Sequence, residues 1–191
     1  NKKKQLKKQN IIWECDNVYV YNDKMSKWLY SFKIESSMIV DQSSSFYPLI
    51  YREFYTINDC IFLFRKKNDL EKMKNFSDSD WERILKFHKD KTGYEWCIND
   101  LSVNDFYYKE TYSKEEQKIM LSVAMNVLEI WGNKLKELFS DKMFCLYLSI
   151  TEDPFFLNLR FHTYREETEF IWGEGVDGID KIEQPIVLRI V

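Results

Sequence analysis

The chain has 191 residues, of which 45% are apolar, 31% charged and 17% aromatic. This composition excludes an intrinsically disordered protein, and no apolar stretch is long enough to predict a membrane span. The net charge of −3 divides unevenly, because residues 92–191 hold 10 basic and 18 acidic residues, whereas residues 1–91 hold 18 and 13. Such an acidic body argues against nucleic-acid binding, which requires a basic face, and is compatible with a basic protein partner.

The first residues form a basic tail, and strands are predicted after it. Residues 1–9 contain five lysines and are expected to be disordered, with residues 10–191 forming a single domain. β-Branched and aromatic residues separated by turn dipeptides predict a strand-rich N-terminal half. The predicted strands are Ile11–Cys15, Val18–Tyr21, Lys27–Ile34 and Cys60–Arg65.

Two helices are predicted in the middle of the chain. Ser79 and Glu82 have the spacing of a capping box, and the helix that they begin is expected to end at Thr92-Gly93. A short strand, 94–98, is predicted next from its alternating residues. The strongest helical period runs from Ser113, which has Glu116 three residues later, to Phe139, and Gly132 inside it suggests close packing by another element.

The C-terminal part is predicted to be an antiparallel β-meander. Met143–Thr151 and Phe155–Thr163 are expected to pair through a turn at 152–154, followed by strands at Thr168–Trp172 and Ile186–Val191. The predicted fold class is therefore α+β, with the long helix 113–139 packed on this sheet. Its buried face should comprise Met120, Val123, Val127, Trp131 and Leu135.

The four cysteines indicate neither disulfides nor a metal site. Cys15, Cys60, Cys97 and Cys145 form no CxxC pair, so all four are predicted to be free thiols in a reducing, cytoplasmic environment. Cys60, Cys97 and Cys145 are expected to be buried in strands. The glycine-rich loop 173–180 lacks the ligand spacing of a calcium loop, and no P-loop, GxSxG or HExxH motif occurs. No cofactor or metal is predicted.

The predicted 143–163 hairpin offers one candidate polar site. Alternation along its strands places five polar residues on the outward face, which is either a solvated surface or a binding site. They are Tyr147, Ser149, Asn158, Arg160 and His162. The other histidine, His88, lies on the apolar face of its helix and is interpreted as a packing residue.

A second candidate surface lies in and beside the turns that bound the predicted strand 168–172. It combines carboxylates, which attract a basic partner, with aromatic residues, which are common hot spots. Its members are Tyr164, Glu166, Glu167, Glu169, Trp172, Glu174, Asp177 and Asp180. Trp172 can alternatively be a core residue of its strand.

In general character, an acidic, aromatic-rich α+β chain with AT-rich coding bias and no catalytic motif resembles the immunity proteins that bacteria make against polymorphic toxins. The resemblance rests on no diagnostic motif. It implies an inhibitor that covers a basic toxin surface with carboxylates and aromatic anchors. The alternatives are an enzyme acting on a phosphate-containing substrate through Tyr147, Arg160 and His162, and a scaffold or regulatory protein.

Overall fold

The computed structural model describes residues 12–14, 17–31, 46–63, 67–166, 168 and 176–191. Six strands form an antiparallel sheet: β1 (Ile12–Glu14), β2 (Asn17–Tyr21), β5 (Leu101–Ser102), β6 (Phe144–Glu152), β7 (Phe155–Thr163) and β8 (Ile186–Ile190). Their order in the sheet is β1-β2-β8-β6-β7-β5. The remaining two strands, β3 (Phe54–Ile57) and β4 (Cys60–Leu63), form a separate hairpin. Its two-residue turn, Asn58-Asp59, has φ of 50° and 61°, a conformation that Asn and Asp tolerate.

The described helices are α1 (Asp23–Ser31), α2 (Tyr47–Ile50), α3 (Lys67–Lys74), α4 (Asp78–His88), α5 (Lys91–Ile98) and α6 (Lys114–Leu138). The α+β class is confirmed, and so is the long helix with its capping box of Ser113 and Glu116. None of the described helices is long and apolar enough to cross a membrane. The predicted basic tail, residues 1–9, lies outside the described residues.

Two predicted strands are wrong, because their apolar residues also fit a helical period. In α1, which replaces the strand predicted at Lys27–Ile34 as far as Ser31, Met25 is buried and Trp28 and Leu29 pack beside it. Asn22 caps this helix by accepting from the Met25 amide at 2.9 Å. Residues 32–34 lie outside the described residues.

The strand predicted at 94–98 is α5. Asp90 caps it by accepting from Gly93 N, so Thr92-Gly93 begins a helix rather than ending one. The preceding helix, α4, starts two residues earlier than predicted, because its capping box is formed by Ser77 and Asp80 rather than by Ser79 and Glu82. Cys97, expected to be buried in a strand, is exposed on α5, whereas Cys60 and Cys145 are buried in strands as predicted.

Helix α6 covers one face of the sheet, called here the inner face. The five residues predicted for its buried face are all buried in the main hydrophobic core, together with Phe144, Leu146, Leu148, Ile150, Leu157, Leu159 and Phe161 of β6 and β7. Trp131 also donates its indole N–H to Leu49 O at 2.9 Å, which fixes α2 beside α6. This packing confirms the predicted contact between the long helix and the C-terminal sheet.

Gly132 lies where a buried arginine reaches the helix, as its position suggested. Arg189 of β8 is fully buried, and a Cβ atom at Gly132 would overlap its guanidinium. The guanidinium donates to Leu128 O, Glu129 O, Glu129 Oε1 and Asn133 Oδ1 at 2.6–3.2 Å. Glycine thus makes room for a charged group whose hydrogen bonds compensate for its burial.

The opposite face of the sheet, called here the outer face, is also covered. Helix α5 and the 3-10 helix Val176–Lys181 pack on it, and Ile179 joins a second apolar cluster with Val20, Cys145, Tyr147, Ile186 and Leu188. Of the two alternatives predicted for the outward face of the hairpin, a solvated surface does not apply to Tyr147 and His162, because both are buried. Strand β8 lies between β2 and β6, so the C-terminal strands do not follow simple meander order. Thr168 is not in a strand, and 169–172 lie outside the described residues.

Candidate functional site

The structure brings two of the predicted interface residues to one open cleft. The cleft has a volume of about 420 Å³ and is lined by Asp59, Asp141, Lys142, Met143, Thr163, Tyr164, Arg165 and Glu166. Three connections meet there: the β3–β4 turn, the loop between α6 and β6, and the chain leaving β7. The Tyr164 amide donates to Met143 O at 2.8 Å, which ties two of these segments together.

The other predicted interface residues are only partly described. Asp180 is exposed on the 3-10 helix, beside Ile179, which belongs to the same outer-face cluster that Tyr164 packs against. Tyr164 and Asp180 therefore lie on the outer side of the sheet. Asp177 falls within the 3-10 helix. Glu167, Glu169, Trp172 and Glu174 lie outside the described residues.

Carboxylates engage the cations of the cleft. Lys142 donates to Asp59 Oδ1 at 2.6 Å, and Lys91 lies 3.7 Å from Asp59 Oδ2. The hydrogen bond from Lys142 is the main reason that the pKa of Asp59 is lowered. Arg165 makes a two-point contact with Glu95, at 2.9 Å and 3.2 Å. Asp141 and Glu166 add negative charge to the lining, so the cleft is acidic on balance.

Glu95 is a buried carboxylate that sequence reasoning missed. It is fully buried and accepts hydrogen bonds from Ile61 N at 2.6 Å, Thr163 N at 2.8 Å and Thr163 Oγ1 at 2.9 Å. One turn later, Asn99 accepts from Leu63 N and donates to Ile61 O and Phe161 O. These α5 side chains therefore join the edge of β4 to the edge of β7. Once 91–98 is read as a helix, their i, i+4 spacing is the signal that places them on one face.

The polar set predicted on the hairpin does share one face. Tyr147 pairs with Arg160 and Ser149 with Asn158 in the β6–β7 register. The pairing alone, however, does not make the set accessible. Ser149, Asn158 and Arg160 are half-buried, whereas Tyr147 and His162 are only 1% and 2% exposed.

Tyr147 and His162 form a neutral hydrogen-bonded pair. The His162 Nδ1 lies 2.9 Å from Thr163 O, which only accepts, so Nδ1 carries the proton and Nε2 accepts from the Tyr147 hydroxyl at 2.9 Å. Burial lowers the pKa of His162 and raises the pKa of Tyr147 well above its ordinary value. The Trp96 ring packs edge-on against Tyr147 with 4.8 Å between centroids. This closed, uncharged pair has the features of a packing interaction.

The remaining histidine packs between two aromatic side chains. His88 is half-buried between Phe87 and Tyr94, with ring centroids 4.9 Å and 5.1 Å away, as expected for a packing residue. Within the described ranges, no group of three or more His, Cys, Asp or Glu side chains is arranged to hold a metal ion.

Comparisons with known proteins identify a family. No curated protein and no solved structure matches the chain. A family model described as the uncharacterized protein PM0498 family matches residues 20–190. The match runs from the end of β2 to the last residue of β8 and so includes the cleft, Glu95 and both faces of the sheet. The chain therefore belongs to the uncharacterized PM0498 family.

Proposed function

We propose that this chain is a non-catalytic protein-binding module, an immunity or inhibitor protein that neutralises a cognate toxin by covering a basic surface. The observation that supports this proposal is the acidic cleft that contains Tyr164 and Glu166. The two cations of the lining, Lys142 and Arg165, are already paired with Asp59 and Glu95. Asp141 and Glu166 therefore leave the lining with a net negative charge that favours a basic side chain of a partner.

Acidic residues continue along the sequence beyond the cleft. Glu166 is followed by Glu167 and Glu169, and residues 92–191 as a whole carry a net charge of −8. Summed charge of one sign steers an oppositely charged partner and raises the association rate. An acidic chain with this local concentration of carboxylates suits a basic toxin domain.

Apolar contacts provide the short-range part of the proposed interface. Met143 is 45% exposed at the cleft, and the ring of Tyr164 is half-buried next to it in the lining. A side chain that is already partly ordered loses little entropy on binding. Trp172, six residues beyond Glu166, is the second proposed aromatic anchor.

The alternative function, an enzyme acting on a phosphate-containing substrate through the hairpin face, has less support. A general base must reach its substrate, and a nucleophile must be activated. His162 and Tyr147 are bonded to each other beneath Trp96, and burial favours the neutral form of both. This arrangement weighs against catalysis by the pair.

The direct test is protection of a host cell. The product of the gene immediately upstream is expressed in a bacterial host with and without this chain, and colony survival is counted. The proposal expects the upstream product to be toxic alone and harmless when co-expressed. An upstream product that is not toxic, or whose toxicity is unchanged by this chain, would contradict it.

The binding surface is tested by kinetics with that purified toxin at low salt. Asp141→Lys with Glu166→Lys should slow association about tenfold or more, with the effect shrinking as salt screens charges over about 8 Å. Glu174→Lys with Asp177→Lys should act similarly, whereas Trp172→Ala should mainly speed dissociation.

The matched control is Glu71→Lys with Glu82→Lys, which changes the net charge equally on exposed helix positions. If the test and control variants slowed association equally, the cleft would not be the binding surface.

A further inference from the structure

The register of the β3–β4 hairpin determines which of its backbone groups point outward. Ile57 and Cys60 close the two-residue turn. A pair in this position exchanges both backbone hydrogen bonds, and along an antiparallel ladder such pairs alternate with pairs that exchange none. In the pairs of the second kind, each N–H and C=O group points away from the hairpin. These pairs are Thr56–Ile61 and Phe54–Leu63.

Helix α5 satisfies the outward groups of β4. Glu95 accepts from Ile61 N, and Asn99 accepts from Leu63 N. Asn99 also donates to Ile61 O at 2.9 Å. These bonds fit the orientation that the register gives to β4, and they close this edge of the hairpin to any further strand.

The opposite edge of the hairpin, formed by β3, is open. Among the described strands, β3 pairs with β4 alone. Within the described residues, the outward N–H and C=O groups of Phe54 and Thr56 make no hydrogen bond. Thr56 is exposed, and so are Glu53 before the strand and Asn58 after it. A strand with unpaired backbone groups at an exposed edge can pair with another chain.

Carboxylates lie at both ends of this edge. Glu53 accepts from the Tyr55 hydroxyl, and no cation in the described part of the chain lies within ion-pair distance of it. At the other end, Asp59 belongs to the acidic cleft with Asp141 and Glu166. At 3.3–3.4 Å per residue, an extended segment of about seven residues spans the roughly 20 Å from Glu53 to Asp59. Such a segment can contact both acidic ends.

We infer that the β3 edge binds an extended, basic segment of a protein partner, which pairs with Phe54 and Thr56 as an added strand. In this mode of recognition, main-chain hydrogen bonds provide affinity, whereas the flanking carboxylates select Lys or Arg side chains. A second copy of this chain is itself acidic and lacks that complementarity. The inference rests on the proposed protein-binding role but does not require a toxin, so host-cell protection and binding at this edge can fail separately.

Hydrogen exchange of the full chain alone tests whether the edge is free. The Thr56 amide should exchange rapidly, whereas the Ile61 and Leu63 amides, which donate to α5, should be protected. NMR follows each amide separately. Protection of the Thr56 amide equal to that of Ile61 means that the edge is already occupied, and it overturns the inference.

A synthetic octapeptide that alternates Thr and Lys then probes the edge. The Thr56 amide resonance should shift saturably as peptide is added, and at saturation its exchange should slow about tenfold or more, as expected for a new hydrogen bond. The matched probe is an octapeptide that alternates Thr and Glu, which the carboxylates should repel. The absence of a saturable shift with the basic peptide, or equal affinity for the two peptides, contradicts the inference.

Substitution of Thr56 locates the binding edge. Thr56→Pro removes the outward N–H and leaves the ladder bonds to β4 intact, so affinity for the basic peptide should fall about tenfold or more. Thr56→Val is the matched control, because it keeps the backbone N–H and should bind like the wild type. Amide spectra verify folding. Equal affinity of the two variants refutes the edge as the site.

A modified peptide replaces the proline variant if that variant does not fold. The basic octapeptide is methylated at every backbone nitrogen, so it retains its lysines but cannot donate to β3. Its affinity should fall at least as much as that of Thr56→Pro. Unchanged affinity would show that charge alone holds the peptide, which contradicts strand addition.

Discussion

The two faces of the six-stranded sheet bury different kinds of side chain. Phe, Leu and Ile side chains of β6 and β7 cover the inner face beneath α6, and Arg189 is the charged group buried among them. The outer face, beneath α5 and the 3-10 helix, combines apolar residues with Cys145, Tyr147 and His162. At its edge, buried Glu95 and Asn99 bond to backbone atoms.

The difference shows two ways to stabilise a covered sheet. The inner face depends on apolar burial, worth roughly 25 cal/mol per Å², and on close packing. The outer face depends more on matched polar partners, whose loss leaves buried groups unsatisfied. Substitutions on the two faces should therefore destabilise the protein by different mechanisms.

The largest effect is expected at Glu95, the polar centre of the outer side. Glu95→Ala should lower the free energy of unfolding by about 3–5 kcal/mol, because Arg165 loses its buried partner and two backbone amides lose their acceptor. Urea unfolding measures this change. Glu82→Ala, at an exposed position on α4, is the control and should change stability by less than about 0.5 kcal/mol. Similar values for both variants would disprove the role of Glu95.

On the inner face, Leu135→Ala should lower stability by about 2–5 kcal/mol through lost burial and a cavity. Thermal and urea unfolding measure it. The exposed Leu138, one turn along α6, supplies the control Leu138→Ala, for which we expect a much smaller loss. An unchanged melting temperature in Leu135→Ala would contradict the packing of α6 on the sheet.

A smaller effect should depend on pH. Burial lowers the pKa of His162 in the folded protein below its ordinary value of 6.5, so between the two pKa values the unfolded chain binds the proton more readily. The contribution of neutral His162 is thus complete above about pH 6.5, and stability falls as the pH drops towards the folded-state pKa. Comparing urea unfolding of the wild type and His162→Gln isolates the imidazole, since the carboxylates titrate in both proteins. Parallel pH profiles would argue against a buried neutral His162.

Alkylation of the cysteines distinguishes exposed from buried positions in the native protein and requires no substitution. Cys97 is exposed on α5, whereas burial raises the pKa of Cys60 and of Cys145 to about 12. Among these three, alkylation of the native protein should therefore modify Cys97 first, as peptide mass mapping will show. After denaturation without reductant, all four cysteines of the chain should be alkylated. Protection of any of them under those conditions would indicate a disulfide.

Local patterns were enough to predict the elements that have both a period and a boundary signal. Helix α6 has an apolar face repeating over 25 residues and a capping box at Ser113, and the structure confirms it. The β6–β7 hairpin has strict alternation and a turn, so its two strands and the residues that share each face were predicted, and the observed pairing agrees with them. Short segments were ambiguous. Residues 23–31 and 91–98 contain aromatic residues at spacings that fit either a strand or a helix, and tertiary packing decided for helix.

For the candidate sites too, the sequence predicted local placement, and the tertiary structure decided the contacts. From the sequence alone, Tyr147, Ser149, Asn158, Arg160 and His162 could be placed on one face, and Tyr164 and Glu166 beside a turn. Alternation says which side chains share a face, but it carries no information about what covers that face. Only the tertiary structure buried Tyr147 and His162 beneath Trp96 and placed Asp59 and Asp141 beside Tyr164, because those contacts join segments far apart in the chain. Glu95 could not be recognised for the same reason: its partners, Ile61 and Thr163, are 34 and 68 residues away.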